Sequence, residues 1–515
     1  MADSPDIRDA ETRSLQPVDW LIMVVLAGIA LAIFAILFTH KFEGLRSNDQ
    51  AHISQLARNL SRGEGFTTKA LVPVDLAIDP RIEDHPDCWR DPLFPLMVCA
   101  VYLVTGAREH GGVLVSGLFF VLLAPLSYLF ARNMCGRAAG ISASLVTMIL
   151  PQMWDYSLHA LTEMPFAFML AALLYALHAG ASPMLTGIVF GLCYLTRHNA
   201  IVFLPVVIWY LVAVDARTRR EMGRFAVGAL AVALPWLVRN AVVTGNPLFS
   251  LQNFNLAMFT ETYPGYTIYA SFDRVNVFAT LWEHPGEMFE KYTRGLNYLT
   301  GELVSLTHPL ILLSFVGGAL AFRAARRSRF LLYALLIMIM IQFHLVAASV
   351  SPVESLNRYF VPFIPVIVAF AVFALFQRLP MNPQLWALQV LMAVLVVVVI
   401  AISDDPGWNI NYGAIRAIGE EEVEYIRRLE EGPVVTDQPW ELAWKADRIA
   451  IWAPARYSDF QEHLSGARYA FFSGTLFEPS EATSYRREYI ENPEFNDAFV
   501  LEKRFDGGGM LFVRR

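Results

Sequence analysis

The chain has 515 residues, 55% of them hydrophobic and 17% charged, with a formal net charge of −7. That balance excludes a string of soluble domains, and an acidic excess without a basic tract excludes a nucleic-acid binder. The four cysteines, Cys88, Cys99, Cys135 and Cys193, lack CxxC or Cys/His spacing, so they imply neither a zinc site nor a disulfide framework.

A polar tail of mixed charge leads into Trp20 to Phe38, which has no charged or strongly polar residue. At about 1.5 Å per residue this run nearly fills a hydrocarbon core of roughly 30 Å. It is too long for a signal-peptide core and reads as a retained anchor. Thr39 to Asp91 is polar and opens with Asn48, Asp49, Gln50, Ala51 and His52. A carboxylate at the mouth of a transmembrane helix costs free energy unless something there uses it. The alternative is that Asn48 or Asp49 caps the helix that follows. Ile53, Leu56, Ala57 and Leu60 share one helical face, which predicts a helix lying on the membrane.

Short cytoplasmic loops collect arginine, and three clusters stand out: Arg132 with Arg137; Arg217, Arg219, Arg220 and Arg224; and Arg323, Arg326, Arg327 and Arg329. All three lie inside only if Pro92 to Gly106 does not span, so that segment is expected to be interfacial or re-entrant. The same parity splits Met184 to Val214 at Arg197-His198-Asn199 into two short helices that turn at the outer face; one long tilted helix with a snorkelling arginine is the alternative. The expected spans are 20–38, 111–131, 138–156, 163–180, 184–196, 199–214, 225–241, 308–323, 330–350, 359–377 and 385–403. That is a polytopic α-helical membrane domain over residues 1–403, with the N-terminus inside. Its large outer loops are 39–91 and 242–307, the second rich in Tyr, Phe, Asn and Gly.

From Asp404 the composition becomes that of a soluble domain. Glu420 to Glu431 reads as an amphipathic helix, and Pro433 to Val435, Arg448 to Trp452 and Arg468 to Phe472 as strands. Phe499 to Phe505 and Met510 to Arg514 read as a hairpin around Gly507-Gly508-Gly509. Residues 404–515 are thus expected to form a small extracytoplasmic α/β domain. The triple glycine lacks the strand-loop-helix context of a phosphate cradle and is a turn.

Several stretches together resemble the integral-membrane, lipid-linked-sugar glycosyltransferases of the GT-C class, in pattern nearest the dolichyl-phosphate-mannose protein mannosyltransferases and the aminoarabinose lipid A transferases. They are Asp49-Gln50-Ala51-His52 through Gly63-Glu64-Gly65, Arg90-Asp91-Pro92-Leu93-Phe94-Pro95-Leu96, Leu161-Thr162-Glu163, Gly191 to Arg197, Pro235 to Asn240, and Arg358-Tyr359 with Pro362 and Pro365. Three positions depart from the family pattern. Gln50 replaces a Glu, Asp91 replaces the first proline, and Glu163 stands where many relatives carry Asp.

The resemblance implies transfer of a sugar from a polyprenyl-phosphate donor to an extracytoplasmic acceptor (protein, lipid or glycan), with inversion, and the scarcity of Asn-x-Ser/Thr sites in the outer segments points to a cell inner membrane. The transfer needs no cofactor, and metal dependence is left open, although no compact ligand cluster appears. Asp49 is the expected base for the acceptor proton. Arg197, His198, Arg239 and Arg358, with Tyr359 beside it, are expected at the donor phosphate, since guanidinium forks suit phosphate oxygens. Glu163 is expected to hold a sugar hydroxyl or pair with an arginine. The amphipathic and re-entrant segments are expected to form the rim through which the lipid tail enters. A transporter or flippase would instead carry ionisable groups at mid-bilayer depth and inverted repeats. A non-catalytic scaffold would leave Asp49 and Glu163 without a use.

Overall fold

The computed structural model describes residues 15–306, 309–320, 326–349, 356–378 and 417–515. The expected span 385–403 and the expected boundary at Asp404 lie outside them. The first helix, α1 (Pro17–Lys41), is followed by α2 (Asn48–Ser61), the short strand β1 (Ala70–Leu71), α3 (Pro73–Ile78) and α4 (Leu93–Thr105). Then come α5 (His110–Cys135), α6 (Arg137–Ile149), α7 (Pro151–Ser157), α8 (Glu163–Ala179), α9 (Pro183–Thr196), α10 (Leu204–Ala213) and α11 (Arg219–Thr244). Beyond the second loop lie α12 (Val277–Glu283), α13 (Pro285–Leu306), α14 (Pro309–Leu320), α15 (Arg326–Ser349) and α16 (Ile364–Arg378).

Among the described residues four helices, α1, α5, α11 and α15, are long and apolar enough to cross a membrane. The remaining apolar helices are shorter, so the eleven expected spans are not all present as full-length helices. Expected span 138–156 is broken, because Leu150 is extended (φ −66°, ψ 125°) ahead of Pro151. A residue before proline is pushed out of the helical region by the ring. The expected break near Arg197 is present. Arg197 is extended (φ −148°, ψ 113°), and a 3-10 turn, His198–Phe203, leads into α10. Pro92 to Gly106 yields only α4, 13 residues, too short to cross a bilayer of ordinary thickness.

Helix α9 lies against α11 with almost no space between the backbones. A Cβ on Gly187 would meet Phe225 O at 2.1 Å, and one on Gly228 would meet Met184 O at 2.2 Å. Small residues at such a seam let dispersion and backbone contacts replace the hydrophobic drive that lipid removes.

The arginine clusters share one end of the bundle. Asp19, fully buried at the start of α1, takes Tyr128 Oη at 2.6 Å, Arg132 Nη2 at 2.9 Å and Arg137 Nε at 2.8 Å. Arg327 and Arg217 both pair with Asp215. At the end of α8, His178 stacks on Phe130 of α5 at 6.0 Å, which ties the two groups to one face.

Helix α2 does not lie on a membrane surface. Gln50 through Asn59 are all buried, with α2 packed against α4, α5 and the helix Pro439–Ala446. Its polar face is satisfied internally. Arg58 donates to Ala443 O and Trp444 O, both at 2.7 Å, and its guanidinium lies 4.9 Å over the Trp444 ring. A moment produced by apolar residues on one face and satisfied polar residues on the other looks the same in sequence as an interfacial helix. The expected lipid rim therefore does not include α2.

The C-terminal strands are β2 (Val434–Thr436), β3 (Ala450–Trp452), β4 (Tyr469–Phe472), β5 (Phe499–Arg504) and β6 (Met510–Arg514). They form one six-stranded sheet, order β1-β3-β2-β4-β6-β5. β1 comes from the first outer loop and pairs parallel with β3, Ala70 beside Ala450. This edge strand stitches residues from the N-terminal quarter into the C-terminal sheet.

Candidate active site

The site forms at the bundle end opposite the arginine clusters, where α2 and α8 begin and the Arg197 break turns. Ser47 caps α2, its Oγ accepting from Gln50 N at 3.4 Å, so Asp49 is not the cap. Its carboxylate instead joins two cations. Oδ1 accepts from Arg90 Nη2 at 2.5 Å, and Oδ2 from Arg358 Nη1 at 3.1 Å and Nη2 at 3.0 Å. Arg358 Nε continues to Glu163 Oε1 at 3.0 Å, and Arg197 Nη2 reaches the same oxygen at 2.7 Å. Arg197 Nε is held by Thr162 Oγ1 at 2.8 Å. The Tyr359 ring lies under both guanidiniums, 5.4 Å from Arg358 and 5.8 Å from Arg197.

Local structure explains these positions. Glu163 is the first residue of α8 and has no solvent exposure, and the positive end of the helix favours an anion there. Arg358 belongs to the 3-10 turn Leu356–Tyr359. Burial pushes the Asp49 carboxyl up, but Arg90 and Arg358 outweigh it and hold the group below the usual carboxylate range. Asp49 is thus ionised and weakly basic while both arginines stay in place.

Behind Asp49 a second chain of contacts aims Arg90. Arg90 Nε donates to His52 Nδ1 at 3.1 Å, and His52 Nε2 lies 2.7 Å from Asp87 Oδ2. Asp87 Oδ1 also accepts from Trp89 N at 3.0 Å and Arg90 N at 2.7 Å. Burial lowers the His52 pKa in spite of Asp87, which favours the neutral ring that this donor and acceptor pattern requires. His52 is a positioning residue for Arg90.

Asp49, Arg90, Arg197, Arg358 and Tyr359 line one cavity of about 530 Å³. Arg46, paired with Asp155 at 2.9 Å, closes the same charged end. Glu163 sits directly behind the arginines. Two expected phosphate ligands are elsewhere. His198 is tied to Asp91, its N donating to Oδ2 at 3.0 Å and its ring Nδ1 lying 3.1 Å from that oxygen. Arg239 lies between the rings of Phe66 (5.6 Å) and Trp236 (4.8 Å), off the cavity. Both lie near the right face, but side-chain partners that the sequence does not reveal divert them. Sequence reasoning also passed over the direct role of Arg90, visible there only as the first residue of the Arg90-Asp91-Pro92 stretch. Nor did it find the cavity's aromatic end, which three distant segments build. Among the described residues no group of three or more His, Cys, Asp or Glu side chains is placed to hold a metal ion.

The fold is similar to that of solved GT-C glycosyltransferases. Residues 84–238 match the family model for dolichyl-phosphate-mannose-protein mannosyltransferase. Among solved structures the chain is similar to ArnT from Cupriavidus metallidurans bound to undecaprenyl phosphate. Identity is 15%, over 96% of this chain and 98% of that one, with a TM-score of 0.57. It is similar as well to the oligosaccharyltransferase AglB from Archaeoglobus fulgidus in complex with an inhibitory peptide and a dolichol-phosphate. There the identity is 14%, over 88% of this chain and 69% of that one, with a TM-score of 0.55. At such identities the likeness establishes the fold. No curated protein matches the chain in sequence.

Proposed function

We propose that this protein transfers a sugar from a polyprenyl-phosphate donor to an acceptor hydroxyl or similar nucleophile, on the membrane face opposite the arginine clusters. The observation that carries the reading is the Asp49 carboxylate held between Arg90 and Arg358 at the mouth of a cavity, with Arg197 alongside. The lipid phosphates recorded with ArnT and AglB support the donor class.

The donor phosphate competes with Asp49 for the Arg358 fork, which suits a phosphate better than a single carboxylate oxygen. Arg197 adds a second cation. Once Arg358 turns to the phosphate, Asp49 regains an oxygen and basicity. The acceptor oxygen attacks the anomeric carbon and its proton passes to Asp49. The bond from that carbon to the phosphate oxygen breaks, and the phosphate leaves with the electron pair, its charge met by the arginines. Attack opposite the leaving phosphate inverts the anomeric centre. Glu163 is buried between Arg197 and Arg358 and holds both guanidiniums at the charged end. In this reading the arginine clusters face the cytoplasm, the site and the region 404–515 are extracytoplasmic, and the membrane is a cell inner membrane.

The test is sugar transfer by purified protein in lipid, using a panel of radiolabelled polyprenyl-phosphate sugars, with wild type beside Asp49→Asn. Transfer by wild type and a loss of about 10²–10⁴-fold in a folded Asp49→Asn protein is expected. Equal rates would remove Asp49 as the base. Lipid binding without turnover of any donor would overturn the transferase reading.

A further inference from the structure

One wall of the cavity is formed by six aromatic side chains. Tyr269 stacks on Trp89 at 4.5 Å, and Trp89 meets Trp440 edge-on at 6.1 Å. Trp440 meets Trp452 at 5.2 Å, Trp452 stacks on Phe477 at 5.6 Å, and Phe477 lies 6.0 Å from Tyr266. Tyr269 N donates to Tyr266 O at 2.9 Å, which closes the circuit. All six line the cavity.

The circuit joins three segments far apart in sequence, and each is pinned. Gln252 Nε2 donates to Trp89 O at 2.8 Å, and Tyr269 Oη to Asn255 Oδ1 at 2.6 Å. Buried Asp437 accepts from Phe477 N at 3.0 Å and Ser473 N at 2.7 Å, fixing the turn that presents Phe477. The second loop meets the cap directly, with Ala455 N donating to Ala270 O at 2.8 Å.

The division of charge indicates what fits. No ring member is charged, and of the cavity's cations Arg90 lies beside the ring, 5.8 Å from the Trp89 centroid. An anionic ligand would be drawn to Arg90 and Arg358 and would gain nothing from the uncharged rings of Trp440, Trp452 and Phe477. An acyl chain would offer nothing to the other halves of the Gln252 and Asn255 amides, Oε1 and Nδ2, at the cavity wall. A pyranose suits both the rings and the amides. Its C–H face carries partial positive charge toward the negative faces of aromatic rings, and its hydroxyl rim supplies acceptors and donors.

We infer that this ring is the acceptor subsite and that the acceptor is an uncharged saccharide. The assignment rests on the transferase reading for the word acceptor. The donor's phosphate must remain at the arginine end with its lipid tail toward the bundle. The ring is built by the two outer loops and the cap, on the side from which a second substrate arrives.

The test uses full-length protein in lipid nanodiscs and saturation-transfer NMR. The probes are methyl glycosides of neutral hexoses and of N-acetylglucosamine, with a threonine-containing hexapeptide alongside. Saturation of glycoside ring protons is expected, with binding weakened about two- to tenfold in Trp440→Ala and in Phe477→Leu, which keeps an apolar side chain but removes the ring. Trp282→Ala, at an 88% exposed position outside the cavity, changes nothing. In transfer assays the same variants raise acceptor KM by that factor and leave donor KM unchanged. Absence of glycoside saturation, or binding of the peptide in place of glycosides, overturns the inference. A rise in donor KM instead of acceptor KM also overturns it, by making the ring the donor-sugar seat. If no donor is turned over while glycosides still bind through the ring, the transferase reading fails and the carbohydrate site stands.

Discussion

Replacing Arg358 by glutamine separates the charge of this residue from its bulk and reads out on Asp49. In the structure Arg358 places both terminal nitrogens within 3.1 Å of Asp49 Oδ2. Two unit charges about 4 Å apart at an effective dielectric near 20 interact by about 4 kcal/mol. Asp49 keeps Arg90 and shows 31% of its side chain to solvent, so screening and the remaining cation reduce what the substitution releases. An opposite charge at this distance lowers an Asp pKa by about 1–3 units, and about one to two pH units is the expected change here. The sign follows from linkage. Arg358 depresses the Asp49 pKa, so wild-type activity should hold as pH falls below the usual carboxylate range. Without the guanidinium, Asp49 protonates at higher pH, and the acid limb of kcat/KM moves up. The assay is transfer from a radiolabelled polyprenyl-phosphate sugar between pH 2 and pH 8. Arg358→Lys serves as the charge-retaining control. Loss of the phosphate contact lowers the rate of Arg358→Gln at every pH, by about 10²-fold or more, but the displaced limb is independent of that scale factor. A limb that stays in place, or moves to lower pH, would refute the placement of Asp49 as the base under Arg358.

Further outcomes follow from the same geometry. Glu163→Gln removes the one anion shared by Arg197 and Arg358 in a fully buried position. It should cost about 3 kcal/mol or more in stability, seen as a lowered Tm in detergent, together with loss of transfer. An unchanged Tm would show that the pairing contributes nothing to the fold. Asp19→Asn breaks the buried cluster with Tyr128, Arg132 and Arg137 at the opposite end. A similar fall in Tm is expected, with donor KM unchanged in the folded protein. Gly187→Val would drive a side chain into the Phe225 carbonyl and should destabilise by about 1–3 kcal/mol through overpacking. Limited proteolysis would register the loosened α9–α11 seam, and a protease-resistant variant would contradict the packing.

The parts legible in the sequence were those with a one-dimensional signature. The apolar run before Thr39 became α1, the arginine clusters fell on one face, and the charged triplet at Arg197 marked a helix break. The three C-terminal strand segments and the hairpin at Gly507 to Gly509 emerged within a residue or two. Asp49, Glu163, Arg197 and Arg358 could be singled out because ionisable groups at helix ends on one membrane face are costly and few. Arg239 and His198 met the same criterion and were drawn aside by Phe66 and Trp236 in one case and by Asp91 in the other. For α2, its periodicity was read correctly and its surroundings were not, since a helix buried between a bundle and a cap has the same pattern as one lying on lipid.

The sequence by itself determined a chain of membrane-length helices, an acid and several arginines at one face, and a strand-rich C-terminal region. Each follows from local rules of hydropathy, charge cost and turn chemistry that act within about twenty residues. Only the tertiary structure decided that Arg90 and Arg358 share Asp49, that Ala70–Leu71 completes the C-terminal sheet, and that six rings from three segments close one cavity. Those facts depend on approach between residues as far apart as Asp49 and Arg358, or Trp89 and Trp440. Such pairings are set by packing of whole elements, and no spacing along the chain encodes them.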